Sequence, residues 1–288
     1  MEPVVTVGLD GSPESMEAAR WAADEAERRK VALRLLHAWP MLAPEPARVP
    51  AALDQNYWAK RLVHHAQAEL QARHPGLVIV GSLIADDAQN ALVRAASESE
   101  LTVLGSRGLT PAESYFLGSV STAVVERAER PVVLIRGKSR EKAPSPARGG
   151  VVVALKLHGP CDDLLAFACD AAAARSVPLL AVHGRSLPIH ARTPWGVDHE
   201  VAKEITDDAR QRLEGVLRPW RERFPGVELV DGVRLESPAE AVVRAAEGAE
   251  LLVVGRREHR PALAPRIGLV TQAALHHVRC PVAVVPHD

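Results

Sequence analysis

The chain has 288 residues and a mass of 31.0 kDa, and this length favours two domains because a single domain usually has about 100 to 150 residues. Its 35 basic residues are balanced by 36 acidic ones and aromatic residues make up 3%, which argues against nucleic acid as a partner. No stretch reaches the roughly 18 apolar residues of a membrane span, and the sequence MEPVVTVGLDGS does not resemble a secretory signal. We therefore expect a cytoplasmic protein with no membrane partner.

The two halves of the sequence repeat one another. Val5 aligns with Val151 at an offset of 146 residues, and Gly118 aligns with Gly268 at an offset of 150. A repeat of this length corresponds to a whole domain rather than to one unit of a repeat array. Neither half is basic, since residues 1–146 hold 17 basic and 18 acidic side chains and the remainder holds 18 of each. The pattern indicates a duplicated domain.

A linker is predicted between the two halves. Residues 137–150 read GKSREKAPSPARGG, in which proline, glycine, serine and charged residues prevent a continuous apolar face. We therefore predict one domain at 1–138 and a second at 149–288.

Within each half, short β-branched runs alternate with longer alanine-rich segments of helical period, which is typical of βαβ units. The continuous hydrophobicity of the predicted strands fits sheets that are covered on both faces. The predicted fold class is α/β, with two tandem open five-stranded parallel sheets flanked by helices in a Rossmann-like arrangement. In the first half the predicted strands are Val4–Leu9, Leu33–Trp39, Leu77–Ser82, Leu101–Gly105 and Pro131–Arg136, and the predicted helices are Ser15–Lys30, Ala51–Arg73, Asp87–Ser97 and Gly118–Glu129.

A glycine pattern follows the fourth predicted strand. Gly105 and Gly108 are followed by Gly118 and Ser119 with the spacing G-x2-G-x9-G-S. Glycines after a strand allow the backbone to turn and to approach a ligand closely. The N–H groups at the start of the next helix suit phosphate oxygens, and the Ser119 and Ser121 hydroxyls add donors. The pattern predicts a phosphate-binding loop, although glycines at this position are also common in ordinary turns.

Asp10 ends the first predicted strand. Ligands of open parallel sheets bind beyond the carboxyl ends of the strands, so Asp10 and Gly105 would meet there if the first and fourth strands are neighbours. A carboxylate at this position could accept hydrogen bonds from ribose hydroxyls or from an adenine amino group. The alternative is that Asp10 or Ser12 only caps the following helix.

Three stretches, GLDGS after the first strand, LLHAW in the second strand and G-x2-G-x9-G-S before the last helix, resemble the universal stress protein family over nearly the whole chain. The resemblance implies a sheet order of 3-2-1-4-5 and ATP as the ligand, with or without Mg²⁺. It implies that Asp10 holds the adenosine end and that the backbone near Ala38 contacts adenine. The positions that the resemblance places around the ribose and phosphates are Gly105, Arg107, Gly108, Gly118, Ser119, Val120 and Ser121.

The second half departs from this pattern where the chemistry is expected. Lys156 aligns with Asp10, Glu258 with Gly108, and Leu269 with Ser119. A glutamate repels polyphosphate and leucine supplies no hydroxyl. Gly255 and Gly268 remain, and turn geometry is sufficient to explain them. We expect a second domain that keeps the fold and has lost the standard ATP site.

Histidines supply no convincing metal or catalytic site. Adjacent helical positions such as those of His64 and His65 point in different directions, and no carboxylate or cysteine recurs at ligand spacing. His37 and His183 recur at the ends of equivalent strands, which favours a shared structural role. We expect neither catalytic residues nor a metal site.

The leading interpretation is a stress-response protein that binds ATP in its first domain and acts as a nucleotide-dependent regulator or interaction module. Arg107 is the one cation that the motif marks, so hydrolysis should be slow at most. A slow ATPase or nucleotide-dependent transferase is an alternative, and a scaffold that binds no nucleotide is another.

The last strand of each half bears on assembly. Pro131 and Pro281 open these strands, and proline is tolerated at a strand start or on a sheet edge. Single-domain relatives in the family resembled commonly dimerise through this strand. The halves are therefore expected to pair within one chain as a pseudo-dimer, and a homodimer of two chains is left open.

Overall fold

The computed structural model describes residues 3–39, 55–106, 118–136, 149–188, 192–193, 196–197, 199–259 and 265–288. The chain divides into two compact units, Met1–Lys142 and Ala143–Asp288. The predicted linker lies almost wholly outside the described residues. No helix in these ranges is both long and apolar enough to cross a bilayer.

The first unit alternates strands and helices as predicted. Its order is β1 (Val4–Gly8), α1 (Pro13–Arg29), β2 (Ala32–Trp39), α2 (Gln55–Arg73), β3 (Ile79–Ala85), α3 (Ala88–Ser97), β4 (Leu101–Ser106), α4 (Ser119–Arg127) and β5 (Val132–Arg136).

The second unit repeats this order and adds a short pair of strands before its second helix. Its elements are β6 (Val151–Ala154), α5 (Asp162–Arg175), β7 (Leu179–Gly184), β8 (Arg192–Thr193), β9 (Gly196–Val197), α6 (His199–Arg223), β10 (Leu229–Arg234), α7 (Pro238–Ala245), β11 (Leu251–Arg257), α8 (Leu269–His277) and β12 (Val282–His287). The two-residue strands β8 and β9 pair antiparallel and were not predicted.

Both units have the same strand order. In the first unit it is β3-β2-β1-β4-β5, and in the second it is β10-β7-β6-β11-β12, with parallel pairing throughout both runs. Numbered within each unit, both are 3-2-1-4-5, which confirms the predicted order. Because β1 lies between β2 and β4, the segments that follow these three strands share one edge of the sheet.

Helix α1 covers one face of the first sheet with small residues. Ala19, Ala22 and Ala26 are fully buried, as the predicted helix face required, while Met16 is only half-buried. The helix begins at Pro13, two residues before the predicted start, because Ser12 caps it and proline is favourable in the first turn. Burying alanine rather than larger side chains lets α1 approach the strands closely, which fixes the position of its N-terminus at the sheet edge.

Candidate functional site

The carboxyl ends of β1, β2 and β4 bring three predicted site residues to one edge of the first sheet. Gly8 is paired with Leu36, so Asp10 and Ala38 each lie two residues beyond that pair. Val7 is paired with Val103, and Gly105 lies two residues further along β4. The structure thus brings Asp10, Ala38 and Gly105 together, as predicted from the neighbouring positions of the first and fourth strands.

Asp10 holds the loop between β1 and α1. Its Oδ1 atom accepts hydrogen bonds from the Ser12 backbone N–H at 2.9 Å and from the Ser12 hydroxyl at 2.5 Å. The Ser12 Oγ atom in turn accepts the Ser15 N–H at 3.1 Å, so Ser12 is the residue that caps α1. Asp10 is exposed, and its carboxylate orients the cap rather than forming it. This leaves an acidic side chain at the sheet edge beside a fixed loop.

Gly105 has a different physical role from the one predicted. It lies inside β4 and not in a turn, and a Cβ atom there would come within 2.7 Å of the Glu14 carbonyl carbon and 2.8 Å of the Ser15 nitrogen. The lack of a side chain therefore admits the backbone of α1. The close approach still serves the site, since it sets the loop that carries Asp10 against β4.

The N-terminus of α4 is the feature best suited to bind an anion. Gly118 is its N-cap, with φ −62° and ψ 155°, and among the residues that the structure describes no side-chain cap bonds the first N–H groups. A Cβ atom at Gly118 would meet no atom within 4 Å among the described residues. Because α4 returns the chain from the carboxyl end of β4, its first turn lies at the same edge as Asp10. Uncapped N–H groups and the positive end of the helix dipole favour phosphate or carboxylate oxygens.

The remaining predicted residues divide into two groups. Ser119 is exposed, Val120 half-buried and Ser121 buried in the first turn of α4. Arg107 and Gly108 lie outside the described residues.

His37 and Trp39 belong to the same edge, although the sequence did not mark them as site residues. The Nδ1 atom of His37 donates to the Leu9 carbonyl at 2.8 Å, and the Leu9 N–H donates to the Leu36 carbonyl at 2.8 Å. The Trp39 ring stacks on His37 with a centroid distance of 6.1 Å. His183 makes the equivalent bond to the Leu155 carbonyl at 2.9 Å, which confirms the shared structural role predicted for the two histidines. The recurrence of these two histidines at the ends of equivalent strands was the signal available in the sequence.

The second unit builds the same edge with different side chains. Helix α8 also begins after an N-cap glycine that no side chain assists, Gly268. Lys156, Glu258 and Leu269 are all exposed at the positions of Asp10, Gly108 and Ser119. Gly255 lies inside β11, where a Cβ atom would collide with the His287 ring, so packing and not turn geometry explains this glycine.

Comparison with known proteins assigns the fold to a family. The model of the universal stress protein family matches residues 3–136 and again residues 149–286. The chain belongs to the universal stress protein family. It carries the family's domain twice, in agreement with the internal repeat.

Full-length relatives have the same tandem extent. The universal stress proteins Rv2623 and Rv2005c of Mycobacterium tuberculosis are each 31% identical to this universal stress protein, over 97% of this chain and 95% and 96% of their own lengths. The crystal structure of a universal stress protein from Archaeoglobus fulgidus aligns with a TM-score of 0.68 at 16% identity, covering 99% of this chain and 98% of that one. This structural likeness supports the fold of the tandem protein.

Proposed function

We propose that the first unit of this universal stress protein binds ATP at the sheet edge formed by Asp10 and the start of α4. Bound nucleotide would then regulate the conformation or partner choice of a cytoplasmic stress-response protein. The observation that carries the proposal is the N-terminus of α4, where, among the described residues, nothing obstructs the N-cap glycine and no side chain caps the helix.

Each part of the nucleotide has a matching group at this edge. The N–H groups of Ser119, Val120 and Ser121 suit the phosphate oxygens, because they lie at the positive end of the helix dipole. The Asp10 carboxylate suits ribose hydroxyls, and the backbone at Ala38, level with Asp10 on the neighbouring strand, suits the adenine. With Gly105 near the end of β4, and Arg107 and Gly108 in the sequence after it, these are the residues proposed to surround ATP.

Occupancy rather than turnover is the proposed signal. Efficient phosphoryl transfer needs a positioned base, an acid that holds a metal ion and cations that stabilise the developing charge. The edge described here offers helix N–H groups and one carboxylate, which are sufficient for binding. Hydrolysis is therefore proposed to be slow at most, and steady-state phosphate release measures it directly.

A charge-only change at Gly118 tests the proposal. Aspartate and asparagine are both good N-caps, and the dihedral angles of Gly118 accept either, so both variants should keep the helix. Gly118→Asp puts a carboxylate where a phosphate would bind and should weaken ATP binding by roughly 100-fold, because like charges a few ångströms apart repel by several kcal/mol. Gly118→Asn should weaken it far less.

The duplicated fold supplies a matched control. Gly268→Asp makes the same change at the start of α8 and should leave ATP binding unchanged. Equal binding by the Gly118→Asp and Gly118→Asn proteins, with unaltered circular dichroism, would show that ATP does not use this helix. Mass spectrometry of nucleotide released from the purified protein would show whether the natural ligand is ATP.

A further inference from the structure

A cavity of about 700 Å³ lies at the carboxyl edge of the second sheet. This volume is within the range of roughly 300 to 1,000 Å³ that is usual for small-molecule sites. It is lined by the ends of β6, β7, β11 and β12 with the residues that follow them, and by residues of α5, α7 and the first turn of α8. The unit therefore keeps a formed binding site at the position where the standard ATP residues have been replaced.

The rim of the cavity is cationic. Lys156 and Arg257 line it and are exposed, and Arg185 lines it and is half-buried. Asp288 is the acidic residue among its lining groups, and it is in contact with His259. Two of these cations have no counterpart in the first half, where Asp10 aligns with Lys156 and Trp39 with Arg185. The substitutions have replaced a carboxylate and an aromatic ring with positive charge.

The interior of the cavity is apolar. Leu164, Val182, Val242 and Val254 line it and are buried. At the mouth, Leu269 is 79% exposed at the first position of α8. Exposed apolar surface at the mouth of an apolar pocket favours a ligand with an apolar body, because binding removes that surface from water.

The same residues disfavour ATP. Lys156 donates hydrogen bonds where Asp10 accepts them, so the acceptor for ribose is lost. Leu269 replaces the Ser119 hydroxyl, so a hydrogen-bond donor for a phosphate oxygen is lost as well. A ligand with a single acidic group meets the cations without needing a ribose acceptor.

We propose that this cavity, formed by the second unit alone, binds an organic anion that joins one carboxylate or phosphate group to an apolar body. The acidic group pairs with Lys156, Arg185 and Arg257, and the apolar body covers Leu269 and enters between Leu164 and Val254. The site is independent of the ATP site proposed in the first unit.

Displacement of a fluorescent probe from the full-length protein tests this site. The probe is 8-anilinonaphthalene-1-sulfonate, an apolar anion whose fluorescence rises on leaving water. Decanoate and decyl phosphate are the two candidate acid classes, and displacement by either supports the proposal and identifies the class. Decanol lacks the charge and inorganic phosphate lacks the apolar body, so neither should displace the probe at the same concentration. The proposal would be overturned if decanol displaced the probe as well as the acids do, or if neither acid displaced the probe.

An isosteric pair at Leu269 locates the binding. The side chain is exposed and an acidic residue is favourable in the first turn of a helix, so Leu269→Asp and Leu269→Asn should both fold. Both lose apolar contact, but Asp alone adds a negative charge, and it should bind decanoate or decyl phosphate at least about tenfold more weakly than Asn does. Lys156→Ala should also weaken binding, whereas Lys203→Ala, which removes an exposed lysine of α6, should not. Equal affinity of the Asp and Asn variants would place the anion elsewhere.

Cysteine alkylation gives a second measurement at the cavity itself. Cys161 lines the cavity and is half-buried, and Cys280 is half-buried but does not line it. Burial and the neighbouring Asp162 raise the pKa of the Cys161 thiol, so iodoacetamide should be used at about pH 8.5 to obtain a measurable rate. The bound acid should slow alkylation of Cys161 severalfold and leave Cys280 unchanged. Equal rates with and without the acid would contradict occupancy of this cavity.

ATP serves to separate this proposal from the first. If ATP displaces the probe as well as decanoate does, and Leu269→Asp abolishes that displacement, the second unit is a nucleotide site and the proposed ligand class is wrong. If ATP does not bind at α4 of the first unit, the Gly118→Asp and Gly118→Asn proteins should bind ATP equally. That result would leave the present proposal standing, because neither variant alters this cavity.

Discussion

The carboxyl edges of the two sheets show how one fold can carry two different sites. Both have the strand order 3-2-1-4-5 and a histidine that is hydrogen-bonded to the loop after the first strand. In both, the N-cap residue of the last helix is a glycine. They differ in the exposed side chains at this edge, since Asp10 in one corresponds to Lys156 in the other. The backbone features that favour anion binding are common to both units, so in our proposals the choice of ligand rests on the exposed side chains.

The aligned glycines teach a related lesson. Gly105 and Gly255 occupy equivalent positions, but Gly105 makes room for the backbone of α1 and Gly255 for the ring of His287. An aligned glycine therefore does not imply a ligand contact at either position. Gly118 differs from both, because a Cβ atom there would meet no atom of the part of the chain that the structure describes.

The largest expected effect is on assembly. If residues 1–140 were expressed alone, the first domain would lack the second domain, its partner in the predicted pseudo-dimer. We expect this fragment to self-associate or to be poorly soluble, because an apolar edge strand invites pairing with another strand. Light scattering gives its mass. A monodisperse, soluble monomer would show that the last strand of this domain is not an interface.

Alanine at the two aligned glycines sharpens the comparison of packing. Gly105→Ala should destabilise the first unit by about 3 kcal/mol, because helix backbone cannot move aside cheaply. Gly255→Ala should cost about 1 kcal/mol, because the half-buried His287 side chain can rotate away. Urea unfolding of each variant measures the difference. Equal losses would contradict the distinction between backbone and side-chain obstruction.

A single change at Asp10 tests the proposed division of roles between the two edges. Asp10→Asn keeps an oxygen for Ser12 but removes the negative charge that would accept from ribose hydroxyls. Affinity for ATP should fall about tenfold, with little change in stability. Ser12→Ala is the informative control, because it removes the α1 cap and should cost about 1 kcal/mol of stability with a smaller effect on ATP. Unchanged ATP binding by Asp10→Asn would limit this carboxylate to its role in the loop.

The smallest expected effect is a pH dependence of the second unit. Burial lowers the pKa of His183 below its ordinary value of 6.5, and Arg185 and His158 lower it further against the opposing bond to Leu155. The unfolded chain therefore takes up a proton before the folded one does as the pH falls. The contribution of neutral His183 to the free energy of unfolding is fully present above about pH 6.5. It is lost as the pH drops from there through the pKa of His183 in the folded protein. His183→Asn keeps a donor for the Leu155 carbonyl but has no titrating ring. Between pH 7.5 and 5.5 this variant should lose less stability than the parent protein. An equal loss of stability would assign the pH dependence to other groups.

Much of the fold followed from the sequence because parallel strands buried on both faces leave an unmistakable apolar pattern. Strand β4 begins at the predicted residue, and α3 ends at Ser97 as predicted. Strand β3 begins at Ile79 and not at Leu77, because the Leu77 N–H bonds to the His74 carbonyl in the preceding turn. Such turns depend on one local hydrogen bond, which hydrophobic periodicity does not report.

The site was predictable to the extent that its residues follow strands or begin helices. The places of Asp10 and Gly118 at the sheet edge were predicted in this way. The packing of Gly105 against α1 was not, because its neighbour Glu14 is 91 positions away in the sequence. The cavity of the second unit was missed for a similar reason, since its lining residues come from six separate segments and its volume depends on their packing.

Titration calorimetry with ATP on the full-length protein tests the central claim that the two edges have diverged. We predict about one ATP per chain, because the second edge presents Glu258 and Leu269 to a triphosphate and lacks the Asp10 carboxylate. The heat should disappear in Gly118→Asp and persist in Gly268→Asp. Two equivalent sites per chain, or heat that is lost only when Gly268 is changed, would contradict it.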